Sequence, residues 1–363
     1  MTSPDHDRAL AAARAEYTER GYHDADFDLI AERAGLTRAA LRSHFPGQAL
    51  YLAVLAGIAE QAPEPPYPPT ARTAKAALGD FARARLTRLP LATEKQRLGL
   101  LPEVLAGETR QAYAQLNNLA AIVLGLALEN LPPGAPRMVR VAEAALTALH
   151  GAGRLAAVAP GFGEPFAMVT VCEMLAGLEL DDDWGPPHLP YVPAAETVDE
   201  PWSPPALPDA LRAEPARLDR DGVIAVLGMH RLGAIEEAVR AAPAGAQVTV
   251  ALVTGTPEVS PLARLVVAEL RADLRAAFPA SARPSLQIVH DDTGALAAAA
   301  GLPARDDART AATALPSGSD GALAPVAGQP ARSDETEFAV RVAAGRIVAR
   351  ADGYGACYAA ATG

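Results

Sequence analysis

Apolar residues recur at helical spacing from the start of the chain. Leu10, Ala13 and Tyr17 predict a first helix that begins near a cap at Asp7 and stops at Gly21. Asp26 then caps a second helix, whose Phe27, Ile30, Ala31 and Ala34 fall at i, i+3, i+4 and i+7 before Gly35 ends it. The next stretch, "AGLTRAALRSHFPG" (residues 34–47), turns through glycine and sets Thr37 at an N-cap. It places Leu41 and Phe45 on one face, away from Arg38, Arg42 and His44. A fourth helix runs from about 48 to 61 and ends in "APEPPYPP", where proline cannot continue it.

From residue 70 to about 180 every segment reads helical, with breaks at Pro90, Pro102, "PPGAP" (132–136) and "APGFGEP" (159–165). Segments 138–158 and 166–178 carry much Ala, Leu and Val and few charges, so they pack on more than one side, and a second subunit is one candidate for the extra side. Residues 181–220 are acidic and proline-rich and read as a stiff linker. From 223 onward the pattern changes to short β-rich runs, "VIAVLG", "QVTVALVT", "SLQIVH" and "FAVRVA", separated early on by helical patterns. Residues 303–334, rich in Ala, Gly, Ser and Pro, read as a long loop. The expected domains are therefore 1–61, 62–180 and 221–363, with a linker at 181–220. The fold class is multi-domain, all-α followed by α/β.

With 363 residues, half of them hydrophobic, the chain can fill several cores. It has no run of eighteen apolar residues and no basic-then-apolar leader, so the expectation is a cytoplasmic protein with no membrane partner. Cys172 and Cys357 stand far apart and outside any Cys/His cluster, so neither a disulfide framework nor a metal site is expected. A net charge of -11 excludes a protein that coats nucleic acid with its whole surface. Residues 33–59 nevertheless carry Arg33, Arg38 and Arg42 with no Asp or Glu, a local basic face suited to a small DNA-reading head on an acidic body.

The run "ERGYHDADFDLIAERAGLTRAALRSHFPGQALYLAVL" (19–55) resembles the DNA-binding domain of the TetR family of bacterial regulators, through Gly21, Tyr22, Ile30, Ala31, Ala34, Gly35, Leu41, His44 and Phe45. The resemblance implies a helix-turn-helix head, a helical dimerisation and ligand domain behind it, and DNA contacts from Arg33, Thr37, Arg38, Ala39, Arg42, Ser43, His44 and Gln48. Physically, Arg38 is long enough to reach a guanine edge with two hydrogen bonds, and Ser43 can reach a base or a phosphate. Thr37, Arg42 and His44 are better placed for phosphates. Asp26, Arg42 and Gln48 stand where the family often has threonine, an aromatic residue and lysine, which alters the contact set. The plainer alternative for Arg33, Arg38 and Arg42 is a solvated basic face on a three-helix core.

No catalytic constellation assembles from the sequence. His290, Asp291 and Asp292 read as a strand-to-loop turn rather than a metal site, "LVTGTP" (252–257) lacks the glycines of a phosphate cradle, and His150 and Cys172 read as packed helical residues. Residues 222–358 resemble a thioredoxin-like domain, in particular redoxins and the tail domain of aromatic-ring flavin hydroxylases. The resemblance rests on the strand and helix order, "DDTGALAAAAGL" and the closing "FAVRVAAGRIVARADGYG". After "VIAVLG" comes "MHRLG", where a redoxin would hold its reactive cysteine, so thiol chemistry is not expected. The expectation is a one-component transcriptional repressor. It would bind double-stranded operator DNA as a homodimer and be released by a small-molecule effector or partner, with no cofactor and no enzymatic activity. The alternative is a degenerate regulator without DNA binding, acting as an interaction or ligand-binding module through its C-terminal domain.

Overall fold

The computed structural model describes residues 4–88, 98–131, 135–159, 161, 163–187, 194–302 and 333–363. The expected breaks at Pro90 and Pro132, and the loop at 303–334 except its last two positions, lie outside the described residues. The first helices are α1 (Pro4–Asp24), α2 (Phe27–Ala34), α3 (Arg38–His44), α4 (Ala49–Glu60), α5 (Ala74–Leu86), α6 (Glu108–Glu129), α7 (Val139–Val158) and α8 (Pro165–Leu175). Strands β1 (Glu196–Pro201), β2 (Pro208–Asp209), β3 (Glu214–Pro215) and β4 (Gly222–Gly228) follow, then α9 (Ile235–Ala241), β5 (Gln247–Val253) and α10 (Val259–Ala277). The chain closes with β6 (Gln287–His290), α11 (Ala295–Ala299), β7 (Glu337–Ala343), β8 (Arg346–Asp352) and α12 (Ala356–Thr362). The residues group into two compact units, Met1–Trp184 with Pro257–Pro284, and Gly185–Thr256 with Ser285–Gly363.

The helical unit contains α1 to α8 and also α10, which packs against α4, α5 and α6. Its position between two strand patterns predicts α10 as part of the domain at 221–363, whereas it packs in the helical unit, and the difference has a physical cause. Almost all of α4 is apolar, with Ala49, Leu50, Tyr51, Leu52, Val54, Leu55 and Ala56 buried, and such a helix must be covered on several sides. On α10, Leu262, Val266, Leu270 and Leu274 are buried at helical spacing and supply part of that cover.

Charge pairing fixes the register of this packing. Asp273 is fully buried and receives Arg85 Nη1 at 2.9 Å and Arg88 Nη2 at 2.5 Å, while Glu269 lies 3.4 Å from Arg85. Arg264 and Arg275 pair with Glu60 and Glu64. His150 Nε2 sits 3.2 Å from Arg85 Nη2 and 3.4 Å from the Tyr113 hydroxyl. Burial first, and then the Arg85 charge, pull its pKa down to about 4. His150 is thus a neutral acceptor beside a guanidinium, in keeping with its reading as a packed residue.

The α/β unit is built on a six-stranded sheet in the order β1-β8-β7-β4-β5-β6. Strands β4, β5 and β6 run parallel, whereas β7 is antiparallel to β4, β8 to β7 and β1 to β8. One core joins Ile224, Val226, Val253, Phe338 and Val340 of the sheet to Leu296 and Ala297 of α11 and to Trp202. The Trp202 indole N–H donates to the Leu218 carbonyl at 2.6 Å, so its polar end is satisfied inside that core.

Part of the expected linker is therefore folded, since 194–220 carries β1, β2, β3 and the buried Trp202, Leu211 and Leu218. Strand β1 is an edge strand, exposed at nearly every position, and its polar sequence lacks the alternation that marks a half-buried strand. At the other edge of the sheet, Asp291 is buried and its carboxylate accepts the Leu296 and Ala297 N–H groups of α11 at 3.2 and 2.8 Å. That is the capping role of a strand-to-loop turn.

Candidate nucleic-acid interface

The first four helices form a small core in which short-range chemistry sets each turn. Asp26 caps α2, its carboxylate accepting the Asp28 and Leu29 N–H groups at 2.9 and 3.3 Å. At the other end Gly35 adopts φ +68°, a left-handed conformation that costs glycine little. There its N–H donates to Glu32 and the Leu36 N–H to Ala31, at 3.0 and 2.9 Å. The chain then enters α3 through Thr37, whose hydroxyl accepts the Ala40 N–H at 3.1 Å. Leu41 and Phe45 are buried with Ile30, Ala31 and Ala34. Thr37, Arg38, Ala39, Arg42, Ser43 and His44 are exposed, and Gln48 is half-buried at the start of α4.

The arginines are not equivalent. Arg38 is half exposed and its Nη1 donates to both carboxylate oxygens of Asp28, at 2.9 and 2.7 Å. The Arg42 guanidinium lies over the Phe27 ring, 5.8 Å from its centroid, and is otherwise open to solvent. Arg33 turns toward its own domain, pairing with Glu16 at 3.1 Å and Glu19 at 3.5 Å. It is the one arginine of the predicted contact set whose guanidinium is held by a buried acid.

The sequence does not single out Glu16 or Asp28, and it marks Phe27 only as an apolar position of the second helix. Glu16 is fully buried and accepts the Asp26 N–H at 3.0 Å and Arg20 Nε at 3.1 Å as well as Arg33, so it fastens α1 to the start of α2. A signal for it exists, because Ala9, Ala12, Ala13, Glu16 and Tyr17 form one helical stripe with a single carboxylate in it. No comparable signal marks Asp28, whose partner lies ten residues ahead across a turn.

In the α/β unit, the position after β4 is held by Arg231, which binds the buried Glu337, its Nε at 3.0 Å from the carboxylate. Cys357 is buried, and its thiol is pushed well above its usual range by burial and then by Glu337 and Glu237. In the helical unit, burial alone pushes Cys172 of α8 up to about 11. We expect no reaction of either thiol with an aromatic disulfide reagent in the folded protein at pH 8, and full reaction of both after denaturation. Rapid labelling of the native chain would contradict the environments described.

Two short helices joined by a glycine turn, the second exposing a polar face that begins with a capped N-terminus, form a helix-turn-helix, the arrangement of one class of DNA-binding domain. Residues 9–54 match the family model described as "Bacterial regulatory proteins, tetR family". Over 47 residues the chain is 49% identical to the HTH-type transcriptional activator FasR of Mycolicibacterium smegmatis, a match covering 13% of this chain and 22% of that protein. The shared part is the head, and the chain spans less than a quarter of that relative's length.

Proposed function

We propose that this chain is a one-component transcription regulator that binds operator DNA as a homodimer, with α3 of each head in the major groove. The observation that carries this reading is the exposed outer face of α3, held in a frame that matches the tetR family model. Repression relieved by a small molecule or partner is our reading of its sign. A promoter-fusion assay decides between that and activation, the role named for the FasR relative. Among the described residues no helix is long and apolar enough to cross a membrane, and a cytoplasmic location is part of the proposal, because operator DNA would be met there.

The decisive experiment is selection of duplexes by the full-length chain, followed by titration of the selected and scrambled duplexes at several salt concentrations. Arg38→Ala should weaken binding to the selected duplex by roughly 1–3 kcal/mol and relax preference at one base pair of each half-site. Arg42→Ala should weaken binding to all sequences alike and lower the salt slope by about one ion. The internal pairing of Arg33 and Arg38 favours a second reading, a head that no longer binds DNA on a chain that works as an interaction module. Failure of the wild type to select any duplex would establish it, whereas equal and negligible effects of both substitutions on a selected duplex would remove Arg38 and Arg42 from the contact set.

Support for a dimer comes from apolar side chains left exposed on α7 and α8: Leu155, Val158, Phe166, Val171 and Met174. Light scattering should give the mass of two chains. Phe166→Glu combined with Met174→Glu should give one chain and lose cooperative binding to paired half-sites. A monomeric parent would remove the dimer from the proposal.

For the α/β unit, the strand order β8-β7-β4-β5, with β7 antiparallel to β4 and a helix closing the chain, supports a thioredoxin-like arrangement. With Arg231 after β4 paired to Glu337 of β7, and with Cys357 of this unit buried, we read it as a structural or ligand-binding domain rather than an enzyme.

A further inference from the structure

We propose that Asp28 is the positioning residue for base recognition, holding Arg38 so that one edge of its guanidinium is presented to a guanine. This rests on the DNA-binding reading above. Arg38 is the first residue of α3, the end of a recognition helix that meets base edges. Both contacts to Asp28 run through Nη1, at 2.9 and 2.7 Å. The guanidinium is planar, and its Nε–H and Nη2–H bonds lie parallel on the edge away from Nη1–Asp28. Among the described residues that edge carries no hydrogen bond or ion pair. Two parallel donors match the O6 and N7 acceptors that guanine alone presents in the major groove.

The carboxylate therefore does two things. It fixes an otherwise floppy side chain in one plane, and it takes the donor that guanine does not need. Its negative charge beside the phosphates works against affinity, so the arrangement trades general attraction for discrimination. Phe27, the neighbour of Asp28 at the start of α2, holds Arg42 in a corresponding way, by the ring face instead of a carboxylate. The first turn of α2 thus sets both arginines of α3.

The test uses the full-length chain, duplexes selected from a random library by the wild type, and the same duplexes with 7-deazaguanine at the position where Arg38→Ala loses its preference. Wild type should lose on the order of 10- to 100-fold in affinity when N7 is removed or the guanine is replaced. Asp28→Ala should lose most of that discrimination, bind scrambled duplex as well as or better than wild type, and add nothing to the loss in an Asp28→Ala, Arg38→Ala double variant. Asp28→Asn, which keeps one acceptor for Nη1, should fall between. If Asp28→Ala keeps the full guanine preference and only tightens binding to every duplex, Asp28 is a competitor for Arg38 and the inference is overturned. A wild type that selects no duplex overturns the DNA-binding reading as well. A retained guanine preference in Arg38→Ala removes Arg38, and with it the role of Asp28. Circular dichroism of each variant confirms that α2 is intact, since Asp26 and not Asp28 supplies its cap.

Discussion

Asp273→Ala should destabilise the helical unit by about 3–5 kcal/mol, read as a fall in urea midpoint followed by circular dichroism. The side chain is fully buried, and its two oxygens are taken by Arg85 and Arg88. Removing it leaves Arg85 almost buried, with Glu269 at 3.4 Å as its remaining carboxylate among the described residues, while the face of α10 that held it loses its register. A charge left in a low-dielectric interior costs far more than the original pair contributed. The combined variant Arg85→Met, Arg88→Met, Asp273→Leu should recover much of the loss, because it removes the stranded charges together. A single-variant effect near zero would mean that water reaches the cluster and screens it.

The second large effect is expected at Gly125, in the middle of α6. A Cβ there would lie 2.8 Å from Val139 Cα and 2.9 Å from Val139 N, and these are backbone atoms of α7 that cannot step aside. Gly125→Val should cost roughly 3 kcal/mol or more, since two close-packed helices must separate along their whole contact. Gly151 in α7 is the control, because nothing lies within 4 Å of its would-be Cβ. Gly151→Ala should instead stabilise by roughly 0.5–1 kcal/mol, as alanine relieves the entropic cost of glycine in a helix. Thermal melts of the two variants, moving in opposite directions, check the pair; a tolerated Gly125→Val would show that α6 and α7 pack less closely than described.

What could be read in the sequence is what acts over a few residues. Asp26, Gly35 and Thr37 work within one turn of themselves, so the boundaries of α2 and α3 follow from residue type and spacing. The same holds for β4, β5 and β7, whose β-branched runs are buried along nearly their whole length. Periodicity shows that a face is buried but not what covers it. The stripe on α10 is plain in the sequence, yet its partner α4 lies two hundred residues earlier. Strand β1 escaped because an edge exposed to water has no reason to alternate. At the interface, exposed residues of α3 could be placed by helical geometry. The pairing of Arg38 with Asp28 could not, because it crosses a turn and obeys no period.

The membership of α10 in the helical unit bears on how such a gene can be rearranged. Segments bounded by single linkers can be transplanted, truncated or fused at those linkers without loss. Here a stop codon after residue 184 would delete a wall of the helical unit along with everything downstream, and leave the apolar side of α4 bare. Grafting residues 185–363 onto another head would carry away a helix that belongs to the donor's neighbour. The two halves of this coding sequence are therefore obliged to be inherited together, and a recombinant that separates them should be recovered as aggregate rather than as two working domains.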